Sequence, residues 1–209
     1  MVSKTLIIGA CGQIGSELTY KLRAEIGDEN VIASDIKESN LELVNSGPFK
    51  ILDAKNFDQI KECVEKNNVG TVYLMAAMLS ATGEKFPEKA WDLNMTSLLN
   101  VLNLAKEKII DRVFWPSSIA VFGPTTPKAN TPQRTIMEPT TVYGITKQVG
   151  ERWCEYYFNN YGVDVRSIRY PGIISWKTLP GGGTTDYAID IFNKAFSDVH
   201  YVCFLNEDT

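Results

Sequence analysis

The stretch Leu6-Ile7-Ile8-Gly9-Ala10-Cys11-Gly12-Gln13-Ile14-Gly15 constrains this chain more than any other. The apolar run Leu6 to Ile8, following Lys4, predicts a short buried strand. Gly9, Gly12 and Gly15 then punctuate a tight turn. Ile14, Leu18, Leu22 and Ile26 recur at helical spacing and predict a helix with one apolar face. A strand, a glycine turn and an amphipathic helix make the first half of a βαβ unit. The start of such a helix aims unsatisfied N–H groups and a partial positive charge at whatever lies above the turn. That arrangement suits a pyrophosphate.

The rest of the chain repeats this alternation in type but not in sequence. Val31-Ile32-Ala33 is an apolar run ending in Ser34-Asp35, and a loop-like stretch around Ser46-Gly47-Pro48 follows. Phe49 to Leu52 reads as a short strand ending at Asp53. Phe57, Ile60 and Val64 mark a helix, and Thr71 to Ala76 the next buried strand. Trp91, Met95, Leu98, Leu99, Leu102 and Ala105 mark a long helix. Arg112 to Trp115 leads a strand into Pro116-Ser117-Ser118; Val142 to about Tyr161 reads as a second long helix, and Val163 to Tyr170 as another strand. Short apolar strands alternating with helices predict a parallel sheet covered on both faces. Right-handed crossovers then put the glycine turn at the carboxyl edge of that sheet, at the switch point.

After Tyr170 the pattern changes. Pro171-Gly172 and Leu179-Pro180-Gly181-Gly182-Gly183 are loop signals. A helix is expected from about Thr185, with Tyr187, Ile191 and Phe192 apolar, and a strand over Val199 to Leu205. The sequence stops at Thr209 in mid-pattern, so a further C-terminal portion is expected.

Composition narrows the function classes. A net charge of -4 argues against nucleic acid as a partner. No apolar run approaches the roughly 20 residues that span a membrane. The N-terminus runs straight into a strand, so a cytoplasmic address is expected. Cys11, Cys63, Cys154 and Cys203 are scattered without a C-x-x-C pair and read as reduced thiols. His200 is the one histidine, so a zinc site and a Ser-His-Asp triad are both disfavoured. Acid–base chemistry here falls to something other than histidine.

Asp35 lies twenty residues after Gly15 at the end of the predicted second strand. A carboxylate there is placed to accept hydrogen bonds from the adenosine ribose and to repel a 2′-phosphate, so NAD is favoured over NADP. Asp53 either reaches the adenine amino group or simply ends its strand in solvent. In Tyr143-Gly144-Ile145-Thr146-Lys147, the tyrosine and lysine share one helix face. A phenol titrating near 10 is a poor base at neutral pH, and a nearby ammonium favours the phenolate. Ser117-Ser118 ends the strand before this helix, where a hydroxyl can hold a substrate oxygen beside the phenol. Hydroxyl, phenol and ammonium form a working acid–base set without histidine.

With these motifs in place, the chain resembles the extended short-chain dehydrogenases/reductases over essentially its whole length. The turn of Gly9, Gly12 and Gly15, the Tyr143/Lys147 pair, and Ser118 twenty-five residues before the tyrosine match that superfamily. The segment Arg169 to Ser175 departs from the asparagine-bearing one of its sugar-nucleotide epimerases. Together with Gly181 to Ala188, the loop Leu79 to Glu84 and the run Pro116 to Pro124, it is similar to the L-threonine 3-dehydrogenases. The resemblance implies a Rossmann-type doubly wound parallel sheet (an α/β fold) spanning 1–175. A small C-terminal substrate lobe would begin over 176–209 and be incomplete in this chain. It implies NAD held at Gly9, Gly12, Gln13, Ile14, Gly15, Asp35 and Asp53, and further along at Ala76, Tyr143, Lys147, Tyr170, Gly172 and Ile173. It implies catalysis by Ser118, Tyr143 and Lys147, with L-threonine bound by Ser80, Ser117, Ser118, Tyr143, Thr185 and Asp186. Thr184 to Asp186 also reads as a helix N-cap.

Other features carry weaker expectations. Trp153, Tyr156, Tyr157 and Phe158 are expected in core packing or at a homodimer face, paired with the helix Trp91 to Leu104. Asn94 either joins the cofactor-site water network or is an ordinary helix-surface amide. Trp176 is expected at the lip of the site. Two other functions stay open: a nucleotide-sugar epimerase or dehydratase, and a non-catalytic NAD-sensing regulator.

Overall fold

The computed structural model describes residues 3–174, 185–197 and 200–202. The strands are β1 (Lys4–Ile8), β2 (Val31–Asp35), β3 (Phe49–Ile51), β4 (Val69–Leu74), β5 (Arg112–Phe114), β6 (Ser117–Ser118), β7 (Asp164–Arg166) and β8 (Arg169–Tyr170). The helices are α1 (Gln13–Ile26), α2 (Leu41–Asn45), α3 (Phe57–Asn67), α4 (Ser80–Lys85), α5 (Pro87–Lys106), α6 (Val142–Tyr161) and α7 (Tyr187–Phe196). Six strands form one sheet in the order β3-β2-β1-β4-β5-β7, and every neighbouring pair is parallel. The order reverses beside β1, so the crevice between the ends of β1 and β4 is the switch point of a Rossmann-type sheet.

The apolar run of β1 is explained by two cores, one on each face. Leu6 and Ile8 join Ile32, Val72, Leu74 and the apolar sides of α3, α5 and α6. Ile7 points the other way, onto Val31, Ala33, Leu43 and the half-buried Leu18 and Leu22 of α1. Alternate residues face opposite layers, and both layers are apolar.

Three expectations need correction. The strand expected over Val163 to Tyr170 is two strands: β7 extends the large sheet, and β8 leaves it to pair in parallel with β6. Trp115 still donates to the Arg166 carbonyl at 3.0 Å, but Pro116 has no N–H to continue the ladder. In α1 the most buried residues are Gly15, Ser16, Thr19 and Arg23, while Ile26 is exposed. Gly15 turns inward because the glycine turn draws the start of the helix onto the Gly9 carbonyl, while Arg23 buries its guanidinium against the Leu43 and Pro48 carbonyls. Finally, the stretch around residues 41–45 and the loop at 80–85 hold the short helices α2 and α4. Asn40 caps α2 through a bond from the Leu43 N–H at 3.1 Å. The expected boundary at 175, Trp176, and Gly181 to Thr184 lie outside the described residues. Of the strand expected over Val199 to Leu205, residues 200–202 are described and carry none.

Candidate active site

The glycine turn is a main-chain construction. Gly9 has φ +89°, and a Cβ on it would lie 2.5 Å from the Ala76 nitrogen at the end of β4. Ala76 in turn donates to the Ile8 carbonyl at 2.9 Å, which locks the two strand ends together. A Cβ on Gly15 would lie 2.2 Å from the Gly9 carbonyl oxygen. Gly12 is different, because its Cβ would meet only the Gly9 carbonyl, at 3.5 Å. Gly12 is exposed and Ile14 half-buried beside it, so the face above the start of α1 stays open to a close ligand.

Two side chains at this turn fit a dinucleotide. Asp35 accepts from the Cys11 N–H at 2.9 Å through Oδ2 and from the Ile36 N–H at 2.8 Å through Oδ1. Its carboxylate is thereby fixed at the mouth of the turn, with lone pairs left for ribose hydroxyls. The Gln13 side-chain nitrogen is buried without a hydrogen-bond partner, a cost that a phosphate or ribose oxygen would remove. Asp53 sits differently. Its Oδ1 accepts from the Lys55 N–H at 2.9 Å, closing a turn between β3 and α3.

The second half of the site lies where β6 meets the first turns of α6. Thr141 caps α6 by accepting from the Gly144 N–H at 3.1 Å. Glu84 of α4 accepts from the Val142 N–H at 2.7 Å, so the helix that carries Tyr143 starts between two acceptors. The Ser118 oxygen accepts from the Ala120 N–H at 3.1 Å. Hydrogen bonding from Ser118 pulls the Tyr143 phenol pKa down. Burial pushes it up by more, so the phenol stands above its ordinary value. The Lys147 amine is 2% exposed, donates to the Pro116 carbonyl at 2.5 Å, and sits 4.4 Å from the Trp115 ring and 5.5 Å from the Tyr143 ring. Burial lowers it to about 7. The ammonium was expected to lower the phenol; here burial drives both groups toward neutrality, and Ser118 supplies the opposing pull.

Ser80 opens α4, and Tyr170 ends β8. Thr185 packs onto Gly172, where a Cβ would meet its methyl at 2.9 Å. Ile173 is half-buried beside Gly172, and Asp186 directly precedes α7 without capping it through its side chain. Ser117 departs from expectation: it is 2% exposed and donates to Glu151 Oε1 at 2.6 Å, so its hydroxyl is engaged inside the protein. Asn94 is buried rather than on a helix surface. It accepts from the Met78 N–H at 2.8 Å and donates to Thr146 Oγ1 at 3.1 Å, joining the β4 exit to α6. Sequence reasoning missed Glu151 and Arg169 altogether. The signal was the third member of the series Tyr143, Lys147, Glu151, which continues one helix face inward.

A family model described as the NAD-dependent epimerase/dehydratase family matches residues 5–192. The chain belongs to that family. Its cofactor is NAD, in agreement with the open turn and the Asp35 carboxylate. An uncharacterised epimerase/dehydratase of Staphylococcus saprophyticus is 50% identical over all 209 residues, which span 65% of that protein. Among solved structures, a partial-consensus L-threonine 3-dehydrogenase is 60% identical, with a TM-score of 0.93 over 98% of this chain and 65% of its own. The holo form of a GalE-like L-threonine dehydrogenase from Cupriavidus necator is 58% identical, with a TM-score of 0.90 over 98% of this chain and 66% of its own. The chain therefore spans about two-thirds of the length of the proteins it matches. No helix among the described residues is long and apolar enough to cross a membrane.

Proposed function

We propose that the whole protein oxidises L-threonine at its 3-hydroxyl, with NAD as oxidant, to 2-amino-3-oxobutyrate. The reading is carried by the meeting of Ser118, Tyr143 and Lys147 at the carboxyl edge of an NAD-family sheet. The likeness to threonine dehydrogenases at 58% and 60% identity supports this substrate. NAD, when bound, supplies the acceptor for the C3 hydride and a cationic ring that favours the phenolate. Tyr143, as phenolate, takes the proton of the 3-hydroxyl. Ser118 orients that hydroxyl and donates to the developing carbonyl oxygen. Lys147, when protonated, favours the phenolate and contacts the nicotinamide ribose. The main chain at Gly172 and Ile173 meets the carboxamide. Ser80 and Thr185 serve the substrate carboxylate, and Asp186 its ammonium; Ser117 is left out because Glu151 engages its hydroxyl. The sheet unit, 1–175, would bind NAD, and the segment from 176 would begin the substrate lobe. We also assign α5 and α6 to a homodimer face, since Trp91 and Ile145 are exposed and line a shallow groove of about 350 Å³, and Trp153 is exposed further along α6.

The test uses the full-length protein and follows NADH absorbance. L-Threonine should drive NAD reduction. Tyr143→Phe should lower the rate ~1,000-fold while NAD affinity stays within about threefold. The family description and the Staphylococcus relative favour a second reading, turnover of a nucleotide-linked sugar. Interconversion of a UDP-sugar without reduction by threonine would establish that reading instead.

A further inference from the structure

Glu151 of α6 and Arg169 of β8 form a two-pronged ion pair. Arg169 Nε donates to Oε1 at 2.8 Å and Nη2 to Oε2 at 2.7 Å. The Arg169 side chain is only 14% exposed and that of Glu151 12%. Ser117 adds a third bond to the same carboxylate. Arg169 also donates to the Gln133 carbonyl at 3.1 Å and contacts the Met137 sulfur at 3.0 Å. Its guanidinium lies 5.3 Å from the Phe122 ring. One guanidinium thus joins α6, β6, β8 and the loop that crosses from β6 to α6.

A buried ion pair is a poor means of gaining stability, because desolvation offsets its attraction. Its distinctive property is direction: a planar fork on a carboxylate tolerates little rotation or slip. The places it fixes are the ones the chemistry needs. Ser117 immediately precedes Ser118. Glu151 lies one helical turn beyond Lys147 and two beyond Tyr143. Arg169 immediately precedes Tyr170, after which the chain runs to Gly172. The Ser118–Tyr143 hydrogen bond spans β6 and α6 and opposes the upward push of burial on the phenol. It holds only while the two elements keep their register. Lys147 on the Pro116 carbonyl gives one tie between them, and Ser117 on Glu151 gives a second.

We propose that Glu151 and Arg169, acting through Ser117, are positioning residues that set the register of Ser118 against Tyr143. Resting on the dehydrogenase reading above, the proposal names what aligns that site. None of the three touches substrate.

The experiment compares full-length Ser117→Ala and Arg169→Lys with wild type. Ser117→Ala removes one hydroxyl, changes no charge, and leaves Lys147, Glu84 and Arg169 in place, so the fold persists. Its kcat with L-threonine should fall about tenfold and that of Arg169→Lys about a hundredfold, with KM for NAD within about threefold. A lysine restores charge but not the fork, so recovery of kcat in Arg169→Lys would overturn the proposal. A loss that merely tracked the fraction of NAD-binding sites would also overturn it. The Tyr143 phenolate is read separately by ultraviolet titration of each protein against its Tyr143→Phe counterpart. Its midpoint should rise by about half a pH unit in Ser117→Ala as the Ser118 bond weakens. If wild type does not oxidise threonine, the substrate reading fails and this titration alone decides. A raised midpoint upholds the positioning role, and an unchanged one overturns it.

Discussion

At the glycine turn, Gly9, Gly12 and Gly15 matter for the side chains they lack, and main-chain groups of β1, β4 and α1 do the placing. Across the crevice, between β6 and α6, the working groups are side chains: Ser118, Tyr143, Lys147, and behind them Ser117, Glu151 and Arg169. The main-chain half is fixed by backbone contacts within the turn and with the end of β4 and has no intermediate settings. The side-chain half depends on partners 18 and 34 residues apart, and each bond in it can be weakened separately. The first kind of site should fail as a whole, and the second by degrees.

Gly15→Val is the sharpest way to break that contrast. A Cβ there would meet the Gly9 carbonyl oxygen at 2.2 Å and the Ala10 Cα at 3.0 Å, and neither can turn aside as a side-chain tip can. α1 would have to lift from β1. The expected cost is about 3 kcal/mol or more, together with loss of NAD binding. Urea unfolding and calorimetric titration with NAD check both. A variant that kept wild-type stability and affinity would show that the turn is more adjustable than its contacts imply.

The same contrast explains what was legible in the sequence. Gly9 to Gly15, Asp35 and the strand alternation are local patterns, and the six-stranded parallel sheet follows from them. Tyr143 and Lys147 were legible for the same reason, being one helical turn apart. Glu151 and Arg169 were not, because helical spacing shows which face Glu151 shares but not its partner, which lies across a contact between β8 and α6. Ser117 was misread as substrate-facing because two adjacent serines look alike. In a strand they face opposite ways, and only the partner, Glu151, distinguishes them. Of the four-residue stripe of α1, Leu18 and Leu22 do pack on the core around Ile7 and Ile26 is exposed, because periodicity reports which face is apolar, not how near the sheet the helix must lie.

Lys147 gives a graded effect of middle size. Its amine is lowered by burial to about 7 in the folded protein, while the unfolded chain titrates near 10.5. Between those values the unfolded state binds more protons, so stability rises with pH. Below about 7 the cost of the buried charge is fully present; above 10.5 it is gone. From pH 7 to pH 9 the wild type should gain ~2 kcal/mol relative to Lys147→Met, at no more than about 1.4 kcal/mol per pH unit. Urea unfolding of both proteins without added NAD measures the difference. Parallel pH profiles would mean that the amine stays charged in the fold, held by the Pro116 carbonyl and the Trp115 ring.

The smallest effect belongs to the tie between the short α4 and the start of α6. Glu84 accepts from the Val142 N–H, one residue before Tyr143, and carries its charge at the positive end of α6. Glu84→Ala leaves that N–H to water while Thr141 still caps the helix through Gly144, so the expected loss is only about 1 kcal/mol of stability. Its position predicts something further. Because α4 begins at Ser80, a residue assigned to the substrate carboxylate, the variant should raise KM for L-threonine a few-fold while leaving KM for NAD in place. Steady-state kinetics on the full-length protein separate the two. An equal rise in both constants would mean that the start of α6 aligns the whole crevice, and the division between a main-chain half and a side-chain half would have to be redrawn through α4.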